Sequence, residues 1–136
     1  MQIQNVVNNA LSDFAKASIK LNQRGHSSGY VEQVRDYVAK HIKEEIKVAD
    51  MAQMLGISRI HLSRIFKEEM GMSPQEYIIR SRIEVGANLL KYSREPIRVI
   101  AEAAHFSSQS RFTEQFQKYM KMTPKEYRER YKPKEF

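Results

Sequence analysis

The chain contains no cysteine and no tryptophan. Without thiols it can form no disulfide, thiolate metal site or cysteine nucleophile, and a reducing, cytoplasmic setting is the expectation. Five glycines and four prolines in 136 residues are few breakers for a chain of this length. No uninterrupted apolar run exceeds three residues, so no stretch suits a membrane span or the apolar core of a signal peptide. His-Glu-x-x-His, Gly-x-Ser-x-Gly and glycine-rich phosphate loops are missing, and His26, His41, His61 and His105 lack metal-ligand spacing. No catalytic residue, metal or cofactor is therefore expected, and the chain does not read as an enzyme.

Basic charge is what the chain has in excess. Lys and Arg number 23 against 16 Asp and Glu, a formal charge of +7. Residues 1–29 hold three bases and one acid, residues 30–95 eleven and ten, and residues 96–136 nine and five. The excess is weighted to the C-terminal third, which points to a polyanionic partner. A solvated Lys/Arg surface would give the same composition.

The apolar residues recur at three- and four-residue steps, so the spacing predicts an all-α chain. Ile3, Val7, Ala10, Phe14, Ala17 and Leu21 form the seam of an amphipathic helix over residues 1–24, and 22–29, with Gly25 and Gly29, reads as a linker. From Tyr30 a helix carries Val31, Val34, Val38 and Ile42. A short helix, 48–55, ends at Gly56, which suits a left-handed turn. Ser58 caps a third helix with Leu62, Ile65 and Phe66 on its buried side, running to Gly71. Ser73-Pro74-Gln75-Glu76 opens a longer helix to about Tyr92, with a serine cap, Glu three residues on and Pro at the first helical position. A short helix follows from Ile97 to Ala104, then a turn at His105-Phe106 and a helix capped by Ser107 or Ser108 that reaches Met120. Thr123-Pro124-Lys125-Glu126 starts a last helix that ends near Tyr131.

An internal repeat organises these elements. Met70-Gly-Met-Ser-Pro-Gln-Glu-Tyr77 matches Met120-Lys-Met-Thr-Pro-Lys-Glu-Tyr127 at an offset of fifty, with Phe66 on Phe116 and Leu62 on Phe112. Upstream of the turn the offset is forty-nine, which sets Ala52 on Ala101 and Gly56 on His105. The pattern predicts two helix-turn-helix lobes, each a three-helix bundle, at about 30–72 and 96–131, joined by a linking helix at about 73–92. Residues 132–136 form a tail.

Helical geometry at about 100° per residue then separates two faces. Opposite Leu62 and Phe66 lie Ile60, Arg64 and Lys67, with His61 and Ser63 at the edges. Arg can donate twice to guanine O6 and N7, and Ile can meet a thymine methyl. Ile60 on the solvent side favours a contact surface over a merely solvated one. In the second lobe Ser110, Glu114 and Gln117 face outward and Arg111 and Thr113 lie at the edges. Glu114 can accept from cytosine N4 but would repel phosphate in another pose. Ser58, Lys118 and Lys121 are candidate phosphate contacts. Lys118, Lys121, Arg128, Arg130, Lys132 and Lys134 read equally as phosphate contacts or as solubility.

The run Ala52-Gln-Met-Leu-Gly-Ile-Ser58, then Leu62-Ser-Arg-Ile-Phe-Lys67, Gly71-Met-Ser-Pro74, Tyr77, Arg82, Leu89-Leu90, Ile100-Ala101, Phe106, Phe112, Phe116 and Thr123-Pro-Lys-Glu-Tyr-Arg128 resembles the AraC/XylS family of bacterial transcription regulators. The resemblance covers about residues 30–131. It implies two lobes entering successive major-groove segments of double-stranded DNA, and transcription activation through RNA polymerase. By motif position it implies that Ile60, Ser63 and Arg64 read bases in the first lobe, with Gln109, Ser110, Arg111, Thr113 and Glu114 in the equivalent stretch of the second. This sequence departs from the family pattern at His105 and Lys121, where glycine is usual, at Gln117, where lysine is usual, and at Gly86, where alanine is frequent. Residues 1–29 lie outside the resemblance. They are expected to be the tail of an effector-sensing domain, the alternative being the start of a small regulator that acts without ligand. A homodimer through this segment or through such a domain is a further expectation. An alkyltransferase built on a similar module would need a cysteine, which is absent.

Overall fold

A computed structural model describes residues 28–131. They form α1 (Ser28–Lys40), α2 (Val48–Leu55), α3 (Arg59–Met70), α4 (Pro74–Tyr92), α5 (Ile97–Ala103), α6 (Gln109–Met120) and α7 (Pro124–Tyr131), with no strand among the described residues. The all-α reading and the duplicated helix-turn-helix architecture hold. The seam predicted over residues 1–24 falls outside the described residues, as does the tail. One boundary differs: Ser28 and Gly29 are already helical, where a linker was expected. The first turn of a helix needs no apolar residue of its own, so periodicity locates its start late.

The chain divides into two compact units, with the division inside α4 between Ile78 and Ile79. In the first, Val31, Val34 and Val38 of α1 meet Met51 and Ala52 of α2, Leu62 and Phe66 of α3, and Tyr77 and Ile78 of α4. These positions lie at three- and four-residue steps, so each helix turns one apolar stripe inward. In the second unit, Ile83, Ala87 and Leu90 of α4 pack with Ile100 and Ala101 of α5 and Phe112 and Phe116 of α6. The repeat is visible in the packing itself. Phe66 meets Tyr77 edge-on with ring centroids 5.4 Å apart, and fifty residues later Phe116 meets Tyr127 edge-on at 5.3 Å.

The turns repeat as well. Gly56 (φ 73°) and Gly71 (φ 76°) take the left-handed conformation that glycine adopts without strain. His105 (φ 65°) and Lys121 (φ 64°) hold the same conformation in the second unit. The hydrogen bonds closing the turns correspond: Ile57 N donates to Ala52 O at 3.1 Å and Phe106 N to Ala101 O at 2.9 Å. These bonds satisfy carbonyls that a helix end would otherwise leave without donors.

Starts of helices are fixed by side chains. Ser73 Oγ accepts from Glu76 N at 3.1 Å. At α7 the box is reciprocal: Thr123 Oγ1 accepts from Glu126 N, and Glu126 Oε1 accepts from Thr123 N at 2.9 Å. Arg128 has a structural role that the sequence did not offer beside phosphate contact and solubility. Its Nε donates to Leu90 O at 3.1 Å and its Nη2 to Ser93 O at 3.2 Å, supplying the carbonyls at the end of α4.

Candidate nucleic-acid interface

Each unit presents one capped helix after its turn. Ser58 Oγ accepts from His61 N at 3.0 Å, and Ser108 Oγ accepts from Arg111 N at 3.0 Å. The second cap is therefore Ser108 and not Ser107. Both serines are exposed, so their hydroxyl protons remain available to an acceptor outside the protein.

On α3 the core side is complete, with Leu62 and Phe66 fully buried. Ile60, Arg64 and Lys67 are exposed on the other side, and His61 and Ser63 are half-buried between the two. Ile60 is 81% exposed, the most open of the large apolar side chains described. It lies one turn before Arg64 and two before Lys67 on the same side of the helix, where a contact from outside the protein can reach it. Arg64 has no ion-pair partner among the described residues, which leaves its guanidinium fork open to an external acceptor.

On α6 Gln109, Ser110, Arg111, Glu114 and Gln117 are exposed and Thr113 is half-buried. Arg111 Nη1 lies 3.6 Å from Glu114 Oε1. Sequence reasoning placed these two at an edge and on the outer face; the structure makes them an ion pair. Lys118 and Lys121 are also exposed but sit towards the other end of α6, about three turns from Ser108. The structure keeps Lys121 apart from Ser110, Arg111 and Glu114, whereas Lys118 lies four residues beyond Glu114, one turn along the same face. Lys118 Nζ lies over the Tyr119 ring, 5.3 Å from its centroid.

Two cations escaped sequence reasoning. Lys47 and Arg59 line an open groove of about 500 Å³ beside Ser63, with Ile46, Val48 and Pro74 forming its apolar side. Arg59 is the first residue of α3 and Lys47 immediately precedes α2, so neither lies on an outward face that a helical projection would select. Their meeting depends on how α2 and α3 cross. Among the described residues no group of His, Asp and Glu side chains is arranged to hold a metal ion, and no helix is long and apolar enough to cross a membrane.

Comparison with known proteins agrees with this architecture. A family model described as a helix-turn-helix domain matches residues 51–130. An uncharacterized HTH-type transcriptional regulator of Staphylococcus aureus is 35% identical over 107 residues, which is 79% of this chain and 14% of that protein. The C-terminal domain of AraT, a response regulator from Geobacillus stearothermophilus, superposes with a TM-score of 0.75 at 31% identity, covering 82% of this chain and 93% of that one. The DNA-binding domain of AdpA, solved in complex with a target DNA, shares the fold with a TM-score of 0.69 at 24% identity, covering 74% and 91%. The chain belongs to the AraC-type helix-turn-helix family, whose members are DNA-binding transcription regulators. It spans only part of the curated relatives it matches, 38% of the length of a probable transcriptional regulator of Photobacterium leiognathi for example.

Proposed function

We propose that this chain is a sequence-specific reader of double-stranded DNA that regulates transcription by binding and not by catalysis, with α3 and α6 entering successive major-groove segments. The observation that carries the reading is the outer face of α3. A serine-capped helix sets an open Ile60 beside Arg64 and Lys67, opposite a fully buried Leu62 and Phe66. That face offers a methyl contact, a guanine fork and a phosphate charge within two turns. On α6, Gln109, Ser110, Arg111, Thr113, Glu114 and Gln117 supply the second set, and Ser58, Lys118 and Lys121 anchor phosphates. Activation through RNA polymerase completes the proposal on the strength of the family resemblance. The apolar seam Ile3, Val7, Ala10, Phe14, Ala17 and Leu21 adds a homodimer through residues 1–24, a sensing domain being the other candidate.

The test is the dependence of affinity on salt. Neutralising phosphates releases counterions, so log affinity for duplex should fall linearly and steeply with log salt concentration. A flat slope, or tighter binding of single strands or RNA than of duplex, would overturn the reading. Sedimentation of the chain with and without residues 1–24 tests the dimer, and an unchanged mass rejects that segment as its seam.

A further inference from the structure

The two capped helices carry opposite charges at the same place. Counted from their caps, Ser58 and Ser108, the sixth residue is Arg64 on α3 and Glu114 on α6. Both are exposed, and each lies opposite a fully buried pair, Leu62 with Phe66 and Phe112 with Phe116. The repeat has kept the geometry and reversed the chemistry.

A carboxylate on a face that approaches DNA is unfavourable by default, since it repels phosphate and every acceptor on the base edges. In the major groove guanine presents N7 and O6 and thymine presents O4, all acceptors. Only cytosine N4 and adenine N6 donate, and adenine places its N7 acceptor beside that donor. Adenine N6 is flanked by acceptors on both sides, its own N7 and the paired thymine O4, whereas cytosine N4 has one on a single side, the paired guanine O6. Cytosine is therefore the base that penalises a carboxylate least. Arg111, 3.6 Å from Glu114 Oε1, makes the arrangement workable. Its guanidinium offsets part of the phosphate repulsion. Because both side chains are exposed, at 49% and 70%, their mutual attraction is weak enough to leave the carboxylate free to accept from a base.

Resting on the proposed DNA-reading function, we propose that Glu114 is a specificity-determining residue that selects cytosine at one position of the second half of the site, where Arg64 selects guanine in the first. Glu114 acts chiefly by exclusion: guanine and thymine at its position set acceptor against acceptor, so it lowers affinity for wrong sites more than it raises affinity for the right one. Both helices then discriminate, Arg64 of α3 mainly by attraction and Glu114 of α6 mainly by exclusion. The two halves of the preferred site are unlike in sequence.

The experiment is selection from randomised duplexes by the 136-residue chain and by its Glu114→Gln and Arg64→Ala variants. Glutamine matches glutamate in size and helix propensity, so folding is preserved, and circular dichroism checks it. The wild type should favour cytosine about tenfold at one position. In Glu114→Gln that preference should move to adenine, whose N6 and N7 fit an amide, or disappear, while the position lost in Arg64→Ala is untouched. Retention of the cytosine preference in Glu114→Gln, with all duplexes bound more tightly alike, would overturn the inference and leave Glu114 as a mere repulsive charge, with DNA reading intact. Absence of any duplex binding by the wild type would overturn both.

Discussion

Gly86 of α4 lies directly under the ring of Phe112 of α6: a Cβ at residue 86 would stand 2.5 Å from Phe112 Cε1 and 2.7 Å from Cζ. The first unit carries Leu62 where the second carries Phe112. The larger ring fits because the helix it packs on has no side chain at that point. Gly86→Ala should destabilise the chain by about 1–2 kcal/mol, overpacking outweighing the gain in helix propensity. In a Phe112→Leu background the same substitution should be neutral or stabilising. Urea denaturation of the four proteins of this cycle measures the reversal, and the same sign in both backgrounds would refute the contact.

Left-handed residues in the second unit should respond to glycine. His105 and Lys121 have φ of 65° and 64°, a conformation that costs a non-glycine residue about 1–2 kcal/mol. His105→Gly and Lys121→Gly should each raise stability, by somewhat less than that because glycine loses more entropy on folding. Gly56→Ala, at φ 73°, should lower it by a similar amount. Thermal melting of the three variants checks the signs.

Arg128 tests structural against electrostatic use of a cation. Its two hydrogen bonds to Leu90 O and Ser93 O are part-buried, so Arg128→Ala should cost about 1.5–3 kcal/mol. Arg128→Lys should recover little, because an ammonium cannot reproduce the fork. With the variant folded, the salt slope of DNA binding should match the wild type; a slope reduced by about one would show a phosphate contact instead.

Glu84 of α4 gives a pH dependence. Burial pushes its carboxyl above its ordinary value, and the nearby Arg80 and Lys91 charges only partly offset that. The folded state therefore holds the proton more tightly than the unfolded state. This contribution is present below the ordinary carboxyl range and is lost as pH rises through the raised value. Glu84→Gln should remove that loss, so its stability relative to wild type should climb as pH rises from 4 towards neutrality, in urea titrations at each pH. A difference that stays constant or falls would contradict the assignment.

Much of this molecule was legible in sequence because its information is local. Gly56 marked a left-handed turn and Gly71 a helix end, Ser58, Ser73 and Thr123 marked caps, and the three- and four-residue spacing around Leu62 and Phe66 marked a buried stripe. The departures at His105 and Lys121 stood out because the repeat aligned them with turn positions, and the positive φ there is what that alignment implies. What stayed hidden depends on contacts between distant elements. Arg128 reaches α4 across more than thirty residues, Lys47 joins Arg59 through the crossing of α2 and α3, and Gly86 makes sense only against Phe112. The Arg111–Glu114 pair lay within reach of sequence, three residues apart on one helix, and the test for it was i, i+3 charge complementarity.

The most direct measurement compares Arg64→Ala with Lys118→Ala in selected-site binding at one salt concentration, with folding verified for both. Arg64 lies on the exposed face of α3 with its fork open, whereas Lys118 offers a point charge beside the Tyr119 ring. Arg64→Ala should lose about 1–3 kcal/mol on the preferred duplex and relax selectivity at one base position. Lys118→Ala should weaken all duplexes alike and leave base preference unchanged. If Arg64→Ala instead weakens every sequence equally, the outer face of α3 does not read bases, and the central claim is contradicted.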